Sequence, residues 1–277
     1  MAPRASIIIP CYNHGLFLRE AIESVEKCPR DLWELIIVND GSTDAGTLRV
    51  FDELRAEGYR IIDQENRGLG AARNTGIREA AGEYILPLDS DNKIQPEYIL
   101  TGIDILDTDP EVGVVYGDAE YFGEKTGVWK GRAFDLSELL LKNYIDACAV
   151  YRRSIWSDVG GYDANMPYQG LEDWDFWLSA AERKWKFYYI PQVLFDYRVR
   201  PDSMINQLQQ AGVDEAIDYL SRKHAPLLRA ELQKTHSTLG FHANEIKKRP
   251  VRSLSKMAFK AMLGREPFLE MKDPHAK

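Results

Sequence analysis

Four short apolar runs recur along the first ninety residues, each followed by an amphipathic stretch, and this alternation constrains the chain more than any other feature. Ser6-Ile7-Ile8-Ile9, Leu35-Ile36-Ile37-Val38, Tyr59-Arg60-Ile61-Ile62 and Tyr84 to Leu88 are continuous and rich in β-branched residues. They read as strands buried on both faces. Between them, Leu16 to Lys27 carries apolar residues at helical spacing (Leu18, Ala21, Ile22, Val25). Helices also read at Ala45 to Glu57, with Ser42-Thr43-Asp44 as capping candidates, and at Leu69 to Ala81. Strand and helix alternating in this way predict right-handed crossover units and a parallel sheet covered on both faces.

The second half is mixed. Val112 to Tyr116 and Ala147 to Tyr151 read as strands, with further strands at Ala119 to Phe122 and Val193 to Tyr197. Helices are expected at Pro96 to Leu106, Leu136 to Leu141 and Asp173 to Glu182. From about Leu208 the pattern becomes helical and polar, an appendage rather than a second catalytic domain. The expected fold class is therefore α/β, with a mostly parallel central sheet and a C-terminal helical appendage.

Composition narrows what such a fold does. With 277 residues, 44% hydrophobic and 28% charged, the chain can bury a sizeable core. A net charge of -8 argues against nucleic acid as the main partner. Cys11, Cys28 and Cys148 are odd in number and have no metal-ligand spacing, which predicts reduced thiols in a cytoplasmic protein. No run approaches the roughly 18 apolar residues of a membrane span, and no secretory signal is expected. The five histidines are scattered, so zinc chemistry is unsupported. Ser154 and Ser203 lack a nucleophile elbow, so serine hydrolysis is unsupported too.

Open α/β sheets bind ligands at the carboxyl ends of their strands. Here those ends carry Pro10-Cys11-Tyr12-Asn13, Asn39-Asp40-Gly41-Ser42, Glu65-Asn66-Arg67-Gly68 through Arg73, and Asp89-Ser90-Asp91. Each alone could be ordinary turn chemistry. Together they are denser in acids, amides and arginine than turns require. Asp89 and Asp91, one residue apart, can direct oxygen ligands into one crevice, as a hard divalent ion requires. Gly68-Leu69-Gly70 mimics part of a dinucleotide fingerprint, but it follows the third strand, and the first strand ends without a glycine pair. Glu172-Asp173-Trp174-Asp175 places three acids among aromatics: favoured by a helix dipole at one reading, a general base against an apolar wall at another. Arg198 and Arg200, just past a strand, can clamp phosphate or simply face solvent.

Taken in order, these motifs resemble the inverting, nucleotide-sugar-dependent glycosyltransferases of family 2, whose fold is called GT-A. The matching segments are Ile7 to Asn13, Ile37 to Asp44, Asn66 to Asn74, Leu88 to Asp91, Gly160-Gly161-Tyr162-Asp163 and Glu172 to Asp175, within about Ala5 to Ser203. The resemblance implies a three-layer α/β/α GT-A domain over residues 1–205, with a nucleotide-binding half (1–110) and an acceptor-binding half (111–205). A helical extension (206–277) would follow. It implies that Pro10, Tyr12, Asn13, Asp40, Arg73, Asp89 and Ser90 bind the nucleotide. In that scheme Asp40 accepts from the base N3–H, Arg73 reaches the base or its neighbouring phosphate, and Asp89 contacts the ribose. Asp91 would ligate Mn²⁺ or Mg²⁺, and Arg198 and Arg200 the diphosphate. Asp173 would be the catalytic base, with Glu172 and Trp174 at the acceptor. The implied partners are a nucleotide-sugar donor, UDP-linked by preference, and a saccharide or lipid-linked acceptor in polysaccharide or glycoconjugate synthesis. Many relatives carry a histidine near the position of Arg200, as Tyr-Arg-x-His; here the run is Tyr197-Arg198-Val199-Arg200. The Gln-x-x-Arg-Trp motif of processive synthases is absent, which predicts single addition.

Three alternatives predict other features. A sugar-1-phosphate nucleotidyltransferase needs a Gly-rich loop after the first strand. A glycoside hydrolase needs two flanking carboxylates without a nucleotide pocket. A non-catalytic carbohydrate-binding module has no call for both the acid pair and a base. Between Glu245 and Arg265, finally, Lys247, Lys248, Arg249, Arg252, Lys256, Lys260 and Arg265 face one acid. This segment suits either an anionic membrane surface, with the chain peripheral at its inner face, or packing on the domain or a second subunit.

Overall fold

A computed structural model describes residues 2–167, 169–201, 203 and 210–248. The chain divides into two compact units, Met1–Lys223 and His224–Lys277.

The first unit is built on one sheet. β1 (Ala5–Cys11), β2 (Trp33–Asp40), β3 (Arg60–Gln64) and β4 (Tyr84–Pro87) pair in parallel in the order β3-β2-β1-β4. The intervening helices are α1 (Gly15–Glu26), α2 (Ala45–Ala56) and α3 (Leu69–Arg78). Beyond β4 the sheet turns mixed. β5 (Lys93–Ile94) and α4 (Tyr98–Thr108) lead into β6 (Val112–Gly123), β7 (Gly127–Trp129) and α5 (Leu136–Leu141). β8 (Val150–Arg152), α6 (Arg153–Val159), α7 (Glu172–Glu182), β9 (Lys186–Val199) and α8 (Gln210–Lys223) complete the unit. β8 runs antiparallel between β4 and β6, while β9 is parallel to β6 and antiparallel to β5.

Side-chain alternation explains why both faces are covered. Ile7, Ile8 and Ile9 of β1 are all fully buried. Ile7 and Ile9 belong to the core shared with Leu18 of α1, Phe51 of α2 and Ile99 of α4. Ile8 points the other way, where α3 lies so close that a Cβ on Gly76 would stand 2.4 Å from the Ile8 Cγ2. The layered α/β arrangement expected from the sequence is the one observed.

Some elements differ from the sequence reading. The two runs read as Val112 to Tyr116 and Ala119 to Phe122 form the single long strand β6. The strand read at Ala147 to Tyr151 begins only at Val150. Ahead of it, the Asp146 side chain accepts from the Cys148 N–H at 2.8 Å and holds a turn instead. Within this unit the C-terminal part of α8 packs against the loop after α6 and against α7. Tyr219 donates to Asp163 at 2.7 Å, and the Lys223 ammonium reaches Asp163 at 2.6 Å and Asp175 at 2.9 Å.

In the second unit, the described residues form α9 (Ala225–Lys248). The basic segment read at Glu245 to Arg265 lies beyond the described residues except for its first four. No helix among the described residues is long and apolar enough to cross a membrane.

Candidate functional site

The carboxyl ends of β1, β2 and β4 open into a cleft of about 480 Å³. Of the residues singled out in the sequence, Pro10, Tyr12, Asp40, Arg73, Asp89, Ser90, Asp91, Glu172, Asp173, Arg198 and Arg200 line it together. Asn13 and Trp174 do not. The Asn13 side chain instead accepts from the backbone N–H groups of Thr43 and Asp44 at 2.8 and 2.9 Å, so it clamps the first loop to the second. Trp174 is buried, and its indole N–H donates to the Leu139 carbonyl at 2.6 Å. One residue further along α7 than Asp173, it is rotated by about 100° toward α5 and away from the cleft.

One wall is a set of interlocked loops. Asp40 is 4% exposed and accepts from the Arg67 and Gly68 N–H groups, both at 2.9 Å, and from Gln64 at 2.6 Å. Its oxygens therefore shape the third loop and retain lone-pair capacity toward the cleft. Gly41 (φ +73°) makes the crossing feasible, since a Cβ there would stand 2.5 Å from the Asn66 nitrogen. The Gln169 side chain, from a loop a hundred residues away, accepts from the Leu69 N–H at 3.1 Å and so caps α3. Tyr12 stands at the rim, 44% exposed. Burial pushes the Cys11 thiol up to about 11, so it lines the cleft as a neutral group.

The Asp89-Ser90-Asp91 turn is held from the facing strand. The Arg198 backbone N–H donates to Asn92 Oδ1 and its Nε to the Asp91 carbonyl, both at 2.9 Å. Its guanidinium lies over Phe17 and Phe122 and pairs with Glu20 at 2.8 Å. Arg198 thus braces the turn while also lining the cleft, where the sequence reading put it on a diphosphate. Arg200 sits with Nε 3.2 Å from Asp91 Oδ2, and one of its terminal nitrogens is 3.2 Å from His14 Nε2.

Arg73 is 1% exposed and joins two regions 99 residues apart. One terminal nitrogen is 2.8 Å from Asp89 Oδ1 and the other 2.7 Å from Glu172 Oε1. Its two terminal nitrogens thus meet carboxylates, where the sequence reading put Arg73 on a base or phosphate, while its buried Nε forms no hydrogen bond among the described residues. Glu172 in turn accepts from the Gly170 N–H at 2.7 Å. It is 3% exposed and therefore anchors the loop entering α7.

Three carboxyls in the cleft are raised above the ordinary carboxylate value. Asp173 accepts only from neutral donors, Asn143 at 2.9 Å and the Trp174 N–H at 2.8 Å. Burial, then the charges of Glu172 and Asp146, hold it well above the ordinary carboxylate value. Asp146 is pushed up to about 7 by burial and by Asp89. Asp91 rises to about 6 by burial and by Asp89, despite Arg200 at 3.2 Å. No group of three or more metal-ligating side chains occurs among the described residues. A hard divalent ion nonetheless fits the donor chemistry at this turn: Asp91 offers carboxylate oxygens where it lines the cleft beside Asp89.

Asp146, Asn143, Gln169, His14 and Tyr197 were not singled out as site residues in the sequence. The signal for Asp146 and Asn143 was slight: two polar residues, in Asn143-Tyr144-Ile145-Asp146, leading into an apolar run.

Comparison with known proteins fits this architecture. The family model described as glycosyl transferase family 2 matches residues 6–160, more than half of the chain. The putative glycosyltransferase EpsH of Bacillus subtilis is 29% identical over 228 residues, covering 75% of this chain and 64% of its own length. S. aureus TarS in complex with UDP-GlcNAc superposes with a TM-score of 0.61 at 20% identity, over 74% of this chain and 61% of that one. The mannosyltransferase PcManGT of Pyrobaculum calidifontis, in complex with GDP-Man and Mn²⁺, superposes at 0.57 and 18% identity, over 96% of this chain and 89% of that one. This chain thus spans less than two thirds of the length of EpsH and of that TarS chain. The fold is the GT-A type, and the chain belongs to glycosyl transferase family 2.

Proposed function

We propose that this chain transfers a sugar from a nucleoside-diphosphate sugar to an acceptor hydroxyl by a single inverting displacement. The observation that carries this reading is the meeting of two stations in one cleft. The Asp89-Ser90-Asp91 turn stands at the end of β4, and Asp173 stands at the start of α7, with Arg73 and Glu172 between them.

In this reading residues 1–110 hold the nucleotide and residues 111–205 the acceptor. The base lies against Tyr12 and Pro10 with its N3–H on the open lone pair of Asp40, and Asp89 accepts from the ribose. Arg200 leaves Asp91 to contact the diphosphate, and Asp91 would hold Mn²⁺ or Mg²⁺. When bound, the ion supplies neutralising charge for the departing diphosphate. Asp173, kept basic by burial and by its neighbouring acids, takes the proton of the acceptor hydroxyl. The acceptor oxygen forms its bond to the anomeric carbon as the bond from that carbon to the phosphate oxygen breaks. The electron pair leaves with the nucleoside diphosphate.

UDP is the proposed carrier, supported by the family resemblance and by a neighbour that binds UDP-GlcNAc; GDP is second, as PcManGT binds GDP-Man. The acceptor is proposed to be a saccharide or lipid-linked saccharide on the cytoplasmic side. A thermal-shift panel of UDP, GDP, dTDP and their sugars with and without Mn²⁺ tests the reading. Stabilisation by one diphosphate series, strengthened by Mn²⁺, is expected, and no stabilisation by any of them would refute it.

A further inference from the structure

Asp146 lines the cleft, yet none of the roles above uses it. It shares that lining with Asp89, Asp91, Asp173 and Tyr197. Three residues before it, Asn143 donates to Asp173 at 2.9 Å, which ties its segment to the start of α7. A sugar whose diphosphate meets the Asp89–Asp91 turn and whose anomeric carbon is approached from Asp173 lies in the cleft that Asp146 lines.

The segment carrying Asp146 is fixed at each residue around it. Asn143 Oδ1 accepts from the Ile145 N–H at 3.2 Å while its Nδ2 donates to Asp173. The Trp177 indole donates to the Ile145 carbonyl at 3.0 Å, and the Tyr98 hydroxyl donates to the Cys148 carbonyl at 2.8 Å. The Asp146 carboxylate accepts the Cys148 N–H through Oδ1, and no other hydrogen bond to it is formed among the described residues. A half-buried carboxylate with an open oxygen on a locked turn is a preorganised acceptor for hydroxyl donors.

We propose that Asp146 forms the donor-sugar subsite, accepting hydrogen bonds from pyranose hydroxyls and so selecting which nucleotide sugar is used. Hydroxyl donors relieve the desolvation of this group without taking or giving a proton, which separates its task from that of Asp173. Its raised proton affinity matches a carboxylate still waiting for donors.

This inference rests on the donor reading above, and the test separates the two. Binding of UDP, UDP-GlcNAc, UDP-glucose, UDP-galactose and GDP-mannose is measured by calorimetry with Mn²⁺ for wild type, Asp146→Asn and Asp146→Ser. Serine retains an oxygen for the Cys148 N–H, so it preserves the turn while withdrawing the carboxylate. Both variants are expected to bind UDP as wild type does, to lose about tenfold or more in affinity for the preferred nucleotide sugar, and to rank the sugars less sharply. Unchanged sugar ranking in both variants, with UDP binding intact, would overturn the subsite alone. So would unchanged sugar affinity with abolished turnover, which would make Asp146 a proton carrier. Failure of wild type to bind any nucleoside diphosphate would overturn the donor reading and the subsite with it.

Discussion

The cleft has two sides built from the same residue type and treated differently. At the β4 end, Asp89 meets Arg73 and Asp91 meets Arg200, each carboxylate within 3.2 Å of a guanidinium nitrogen. At the α7 end, Glu172 shares Arg73, but Asp173 and Asp146 receive only amide and backbone donors. The carboxylates joined through Arg73 shape structure, and Arg200 only partly offsets the burial that raises Asp91. A carboxyl left to burial and like charges stays ready to take a proton or a hydroxyl donor. In the proposed reading the first side, where cations are close, binds the anionic donor, and the second activates the acceptor.

The sharpest way to break this division is to remove the proton acceptor. Asp173→Asn is expected to lower sugar transfer by about 10²–10⁴-fold while leaving nucleotide binding unchanged. Steady-state turnover beside calorimetry checks both halves, and wild-type turnover would end the base assignment. Nearly as large is the effect of Arg73→Met, which strands the buried Glu172 together with Asp89. About 3–5 kcal/mol of stability should be lost in urea titration. A smaller loss would mean that the two sides are not coupled through this residue.

The Arg73 bridge also marks the limit of what the sequence discloses. Asp89 and Asp91 were legible because a buried run ends just before them, and Asp40 for the same reason at the second strand. Arg73 and Glu172 lie 99 positions apart, and neither local pattern indicates that they share a hydrogen bond. Trp174 was read toward the acceptor because it adjoins Asp173 in sequence, but adjacent helical positions face different ways. Asp146 was hidden by an apolar run that continues into β8, so a turn locked by tertiary hydrogen bonds passed as the strand's beginning.

The pH dependence follows from raised carboxyls on both sides of the cleft. Asp173, Asp146 and Asp91 all hold protons in the folded chain at pH values where the unfolded chain has lost them. More protons bound to the native state means that stability is fuller at low pH. It declines as pH rises from the ordinary carboxylate value of 3.8 toward about 7. Thermal denaturation of the ligand-free protein should show that decline, opposite in sign to ordinary acid denaturation. Transfer activity should instead rise over this range, with an acid limb well above the normal carboxylate range, because the proposed reaction requires the base form of Asp173.

Smaller still is the gain from relieving one such charge. Asp173→Asn should raise the melting temperature of the ligand-free protein near neutral pH by roughly 2–4 °C. The basic segment contributes least to the cleft. A chain ending before Glu245 should float with anionic liposomes no less than wild type if the segment packs on protein, and reduced flotation would assign it to the membrane.

The most direct test of the whole account is calorimetric titration of UDP and GDP, with and without Mn²⁺, into wild type, Asp91→Ala and Asp173→Asn. The account predicts that wild type and Asp173→Asn bind one diphosphate equally well and gain from Mn²⁺, whereas Asp91→Ala loses that gain. Loss of binding in Asp173→Asn with the Mn²⁺ effect preserved in Asp91→Ala would contradict it.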